Sequence, residues 1–204
     1  YPEFTNKNSA CLPGVVPQNV DDNPEIVQIS NEFLISGALG ENISLLRTLL
    51  IPAFKRMPNQ ILHITGEVYD EEDLLENIKL YKNIIYHGKL TFKEYLELLH
   101  SITFVFSTRN PKAAENRCNF PSKIIESLLH NRAIISTIGY PQLGNLKYFK
   151  VSSDIDEFVH TIGSIVLKDE NCIMQYVNQA KETRKKFSSQ VWRDTMIELE
   201  NNGK

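Results

Sequence analysis

Lys123 and Glu126 stand three residues apart in the stretch CNFPSKIIESLLHNRAIIST, residues 118–137. At 100° per residue, Ile124, Ile125, Leu128 and Leu129 spread over one arc of a helix, and Lys123 and Glu126 lie together on the opposite arc. Pro121 suits the first turn of that helix, because its ring presets φ and its missing N–H would have been unpaired there. A carboxylate so placed accepts two hydroxyl hydrogen bonds from a sugar ring, and the cation beside it meets a phosphate. The plainer alternative is a solvated i,i+3 ion pair contributing only about 0.2–0.5 kcal/mol.

Other residues with chemistry to offer are sparser. In SGALGEN (36–42), Gly37 and Gly40 let a backbone approach a phosphate closely, although glycines also simply make turns. Gly88, in HGKL (87–90), reads as turn punctuation after a strand. His63 falls inside a strand pattern, and His100 and His130 end helices, where a cation suits the dipole, so all three read as structural. His87 borders Gly88. Cys118 has no base in view to make it a nucleophile and reads as a loop thiol.

The elements that must position these residues alternate along the chain. EFLISG (32–37), QILHITG (60–66), NIIYHG (83–88), ITFVFST (102–108) and RAIIST (132–137) are short apolar runs of strand character. Between them ISLLRTLLIPAF (43–54), DEEDLLENIKL (70–80), TFKEYLELLH (91–100) and PSKIIESLLH (121–130) carry helical spacing, the second with early carboxylates that suit a helix N-terminus. Strands interleaved with helices predict an α/β, Rossmann-like, doubly wound parallel sheet flanked by helices. Residues 154–167, the whole of 170–187 and 188–200 read as closing helices, the last opened by a serine cap, with Val191, Trp192, Met196 and Leu199 as a packing face. Residues 1–30, rich in Asn, Pro and Asp in their first part, read as a lead-in to a domain over 31–204. In such a sheet the ligand site lies at the carboxyl ends of the strands, where helix N-termini offer unpaired N–H groups.

The bulk properties narrow the class. With 204 residues, 42% apolar, the chain is long enough for one substantial core. No run approaches the roughly 18 apolar residues of a membrane span, and no lysine-led apolar leader opens the chain, which disfavours spanning and secretion. Cys11, Cys118 and Cys172 are odd in number and lack metal-ligand spacing, as reduced thiols in a cytosol would. A net charge of −3 argues against nucleic-acid binding, which needs a concentrated basic surface. The chain begins at Tyr1, as a piece of something longer would.

Asn119-Phe120-Pro121-Ser122-Lys123-Ile124-Ile125-Glu126-Ser127-Leu128-Leu129, followed by Arg132-Ala133-Ile134-Ile135-Ser136-Thr137, resembles the NxPSKxxEyLaxGkPVIst segment in the C-terminal, donor-binding domain of retaining GT-B glycosyltransferases of the GT4 type. Residues 33–67 are similar to that family's first strand-helix-strand unit, 83–108 to the unit before the motif, and 187–200 to its closing helix. The resemblance implies a nucleotide-sugar donor, with Glu126 on the ribose hydroxyls and the loop Gly88, Lys89 and Leu90 at the base. Gly37 and Gly40 would lie against the diphosphate, joined by Ser122 and Lys123. It implies no metal or other cofactor, because basic side chains and helix N-termini stabilise the departing diphosphate.

The chain also departs from the pattern. Cys118 stands eight residues before Glu126, where many relatives carry a first glutamate on the donor sugar, and Ala38 and Asn42 stand where they carry an arginine and a lysine. Lys123 and, in the loop that leads to Cys118 and Asn119, Arg109, Lys112 and Arg117 are the four cations that could restore charge toward the donor sugar and phosphate. GYPQLGN (139–145) lies where relatives touch the donor's phosphate or sugar and also reads as an ordinary turn. The reading that follows is a cytoplasmic hexosyltransferase of surface polysaccharide or lipid-linked glycan synthesis, bacterial in type. Its acceptor would be held by an N-terminal domain not in this chain, through which any peripheral membrane contact would come. This chain alone would bind donor and not turn over. The alternatives are a GT-B nucleotide-sugar 2-epimerase and a degenerate, non-catalytic domain kept for assembly.

Overall fold

Apolar residues occupy consecutive strand positions here, as expected where helices cover both faces of a sheet. The computed structural model describes residues 14–16, 29–40, 44–117 and 120–202. Six strands pair in the order β3-β2-β1-β4-β5-β6, all parallel: β1 (Glu32–Ala38), β2 (Ile61–Glu67), β3 (Ile84–Tyr86), β4 (Phe104–Ser107), β5 (Ala133–Ser136) and β6 (Phe149–Lys150). The doubly wound sheet is as the alternation predicts, and its order reverses between β1 and β4, the topological switch point of such folds.

A π-helical turn, Leu46–Leu50, runs into α1 (Ile51–Lys55), and there follow α2 (Glu71–Ile78), α3 (Phe92–Ser101) and α4 (Ser122–Leu129). The chain closes with α5 (Ile155–Val166), α6 (Glu170–Val177), α7 (Ala180–Lys186) and α8 (Ser189–Asn202). Phe33, Ile35, Leu62, Ile64, Phe104 and Phe106 form one core layer with Leu49, Leu50 and Phe54, with Leu74 of α2 and with Phe158 and Ile162 of α5. Phe33 stacks on Phe104 at 5.0 Å and meets Phe54 edge-on at 5.3 Å. Full burial of each such side chain contributes about 1.5–3 kcal/mol. On the opposite face Leu34, Val105 and Ile134 pack with Tyr95 and Leu99 of α3 and with Ile124 and Leu128 of α4. The apolar arc read from the 118–137 stretch is therefore a core face, which leaves Lys123 and Glu126 partly exposed.

The structure differs from the sequence reading in four places. Pro121 precedes α4 as its cap residue, at φ −71° and ψ 125°, instead of sitting in the first turn. The helix expected over 170–187 is two, α6 and α7, broken at Asn178 and Gln179. β6 pairs Phe149 with Ile135 where no strand was expected, because two residues carry no readable period. On α8, Val191, Met196 and Ile197 are exposed; the expected packing face is covered only in part, with Trp192 Nε1 donating to the Gly14 carbonyl at 3.2 Å. Among the described residues no helix is long and apolar enough to cross a membrane.

Candidate functional site

β1 and β2 pair along their whole length, and near their carboxyl ends Gly37 pairs with Gly66. Both have positive φ, +114° and +123°, and a β-carbon on Gly66 would stand 2.0 Å from the Gly37 carbonyl oxygen. The loop after β3 is tied to the same place: Gly66 N–H donates to the Gly88 carbonyl at 2.9 Å and Thr65 Oγ1 donates to it at 2.8 Å. Gly88 has φ +66°, which glycine adopts without cost. These ties shape a cleft of about 460 Å³ over the strand ends. It is lined by Ser36, Gly37 and Ala38 from the end of β1, by Thr65, Gly66 and Glu67 from the end of β2, by Lys89, Leu90 and Phe92 after β3, and by Tyr95 and Lys123.

Tyr95 and Lys123 reach the cleft from α3 and α4 and meet on Glu126. Glu126 Oε2 accepts from Tyr95 OH at 3.0 Å and from Lys123 Nζ at 2.9 Å, and Lys123 Nζ also lies 4.1 Å from the centre of the Tyr95 ring. Burial first, and then the Glu126 carboxylate, hold the Tyr95 hydroxyl well above the usual tyrosine range, so it stays protonated and donates. The second cation of the cleft, Lys89, lies 3.6 Å from Glu67. Both lysines of the cleft lining thus face a carboxylate. α3 starts on a capping box, in which Thr91 and Glu94 satisfy each other's backbone N–H groups.

Of the residues singled out from sequence, Gly37, Lys89, Leu90 and Lys123 line the cleft, Gly88 fixes its loop, and Glu126 is held just behind Lys123 and Tyr95. Gly40 and Ser122 are exposed nearby, outside the lining. Arg109 is 8% exposed and is not among the lining residues of this cleft: its Nη1 donates to Asn116 Oδ1 at 3.0 Å, its backbone N–H donates to Thr137 Oγ1, and its carbonyl accepts from the same hydroxyl. It stands beside a second cavity of about 360 Å³, lined in part by Asn116, Thr137, Tyr140 and Lys150. Cys118, Asn119 and Asn42 lie outside the described residues, as does the Arg117 side chain. Sequence reasoning missed Tyr95 and Phe92; Phe92 is 70% exposed on the cleft wall, an unusual place for so large an apolar side chain.

No protein-family model and no curated protein matches the sequence, but solved structures match the fold. TarM of S. aureus, in a mutant form with fondaparinux, alpha-GlcNAc-glycerol and UDP, superposes with a TM-score of 0.65 over 97% of this chain and 40% of its own, at 17% identity. A glycosyltransferase from Rickettsia africae gives 0.61 over 87% of this chain and 48% of its own, also at 17% identity. This is a glycosyltransferase-like fold. The C-terminal domain of a glycosyl transferase group 1 family protein, LpcC, from Francisella tularensis, gives 0.53 at 12% identity, over 78% of this chain and 85% of that domain. The chain thus spans less than half the length of the first two and most of the third.

Two histidine pairs lie elsewhere in the fold. His63 Nδ1 and His87 Nε2 are 2.9 Å apart, with Glu32 Oε2 at 2.8 Å from His63 Nε2; His100 Nε2 and His130 Nδ1 are also 2.9 Å apart. His63 is thus a structural residue of β2, and the pair joins β2 to the loop after β3. Among the described residues no group of three or more His, Cys, Asp or Glu side chains is gathered to hold a metal ion.

Proposed function

We propose that this chain is the C-terminal, nucleotide-sugar-binding part of a GT-B glycosyltransferase of the GT4 type. The observation that carries the reading is the meeting of Lys123, Glu126 and Tyr95 at the strand ends, beside the glycine pair Gly37 and Gly66. The glycines leave room for a diphosphate against the backbone, and Lys123 with the N-terminus of α4 meets its charge. Glu126 takes the ribose hydroxyls, and Leu90, Phe92 and the backbone of Gly88 to Leu90 face the base. Stabilising the departing nucleoside diphosphate in this way is electrostatic catalysis without a cofactor. The donor sugar lies toward Cys118 and Asn119, by the resemblance of the 118–137 stretch. Retention of configuration, a hexose donor, a polysaccharide or lipid-linked acceptor, a bacterial source and a cytoplasmic setting rest on the same resemblance. A second domain holds the acceptor, so this chain binds donor and does not by itself transfer it.

A second reading, a non-catalytic domain kept for assembly, has one observation in its favour. Ala38 lines the cleft where the resembling family carries a cation, and the two lysines present are already paired with carboxylates. Calorimetric titration with UDP, GDP, ADP and TDP separates the two. Donor binding predicts selective uptake of one of the four, abolished by Leu90→Asp with an unchanged circular dichroism spectrum. Glu126→Ala lowers affinity for that diphosphate about ten-fold or more, as loss of hydrogen bonds to a charged group does. Uptake of none of the four leaves the scaffold reading standing.

A further inference from the structure

We infer that Lys123 is a latch on Glu126 that makes the site selective for nucleoside diphosphates over nucleosides, by coupling phosphate recognition to ribose recognition. The inference rests on the donor-site reading above and goes beyond it. Lys123 and Tyr95 line the cleft and Glu126 does not; Oε2 of Glu126 carries both of their hydrogen bonds. Lys123 is 43% exposed along its side chain and Glu126 27%, so the ion pair is partly solvent-accessible and able to open. The Lys123 ammonium also rests over the Tyr95 ring, a surface across which it can swing without losing its attraction to the π face.

The charges set the direction of the coupling. A diphosphate carries more negative charge than one carboxylate, and Gly37 and Lys123 line the same cleft, so a diphosphate against Gly37 draws the ammonium away. Of the two hydrogen bonds to Glu126 Oε2 among the described residues, the one from the Tyr95 hydroxyl then remains, and a partly buried carboxylate seeks donors. Two ribose hydroxyls are such donors. A nucleoside alone has to break the Lys123 ion pair in exchange for neutral hydroxyls. A phosphate alone has to strand Glu126. Only a ligand bearing both satisfies both groups, and each half tightens the other reciprocally.

The test uses the tightest-binding diphosphate of the four, its parent nucleoside and inorganic pyrophosphate, titrated into the chain and into Lys123→Met, which keeps an unbranched stem over Tyr95. In the wild-type chain, saturating pyrophosphate is expected to tighten nucleoside binding about five-fold or more. In Lys123→Met the nucleoside is expected to bind tighter than to wild type, indifferent to pyrophosphate, while diphosphate affinity falls about ten-fold or more. The latch is overturned if Lys123→Met weakens nucleoside and diphosphate by the same factor, or if pyrophosphate leaves nucleoside affinity in the wild type unchanged. A wild-type chain that takes up a diphosphate without coupling overturns the latch alone. One that takes up no diphosphate overturns the donor-site reading with it.

Discussion

Gly66 has no space for a side chain, and Gly37 has space but an unusual backbone. A β-carbon on Gly66 meets three backbone atoms of Gly37, at 2.0, 2.8 and 2.9 Å, whereas one on Gly37 meets nothing within 4 Å. Left-handed strain alone costs of the order of 1–3 kcal/mol, and a backbone clash adds the energy of prying strands apart. Gly66→Ala should therefore lower unfolding free energy by at least about 3 kcal/mol and Gly37→Ala by about 1, in urea titrations of the two variants. Equal losses would mean that the close approach does not matter. The same residue scale divides what was legible from what was not. Lys123 and Glu126 are three apart on one helix, so their pairing follows from helical geometry alone. Tyr95 is 31 residues from Glu126, on another helix, and looks in sequence like any apolar position of α3; its hydroxyl contact exists only because both helices cover one face of the sheet.

At the scale of elements, alternation of strands and helices was readable because β1 to β5 are short, mainly apolar runs and each early helix keeps its period. The break between α6 and α7 was not, since every residue of 170–187 tolerates a helix. What ends α6 is a long-range competitor. Gln179 exchanges two hydrogen bonds with the Lys147 backbone, as donor to its carbonyl and acceptor from its N–H, and donates to the Tyr176 carbonyl as well. Asn131 Oδ1, from the end of α4, then accepts from the Ala180 N–H at 3.2 Å and starts α7. Gln179 is 6% exposed, so removing its amide leaves the Lys147 groups without partners. Gln179→Ala is expected to cost about 2 kcal/mol, the desolvation penalty of a buried unmade pair. If instead the break were an intrinsic preference of the segment, the variant would unfold at the wild-type urea midpoint.

Across the whole molecule, the two histidine pairs make stability depend on pH. Burial first, and then His63, hold His87 below the usual histidine range. His130 is lowered foremost by burial and next by His100, with Arg132 and Arg184 acting the same way and Glu126 opposing. Each pair is an N–H···N bond in which one ring must stay a neutral acceptor, so uptake of a proton by that ring ends the bond. A group whose folded pKa lies below its unfolded value, about 6.5 for histidine, binds protons more readily in the unfolded chain. Stability is then fully present above about pH 7.5, declines as pH falls through 6.5, and stops declining once pH is below the folded values. Urea midpoints should drop between pH 7.5 and 5.5 in the wild-type chain and drop less in a His87→Gln, His130→Gln double variant, which has lost both depressed groups. The comparison isolates the histidines, because the carboxylates that also titrate in acid are the same in both chains. An equal drop would assign the acid sensitivity to those carboxylates and leave the two pairs as neutral links, one joining β2 to the loop after β3 and the other joining α3 to α4.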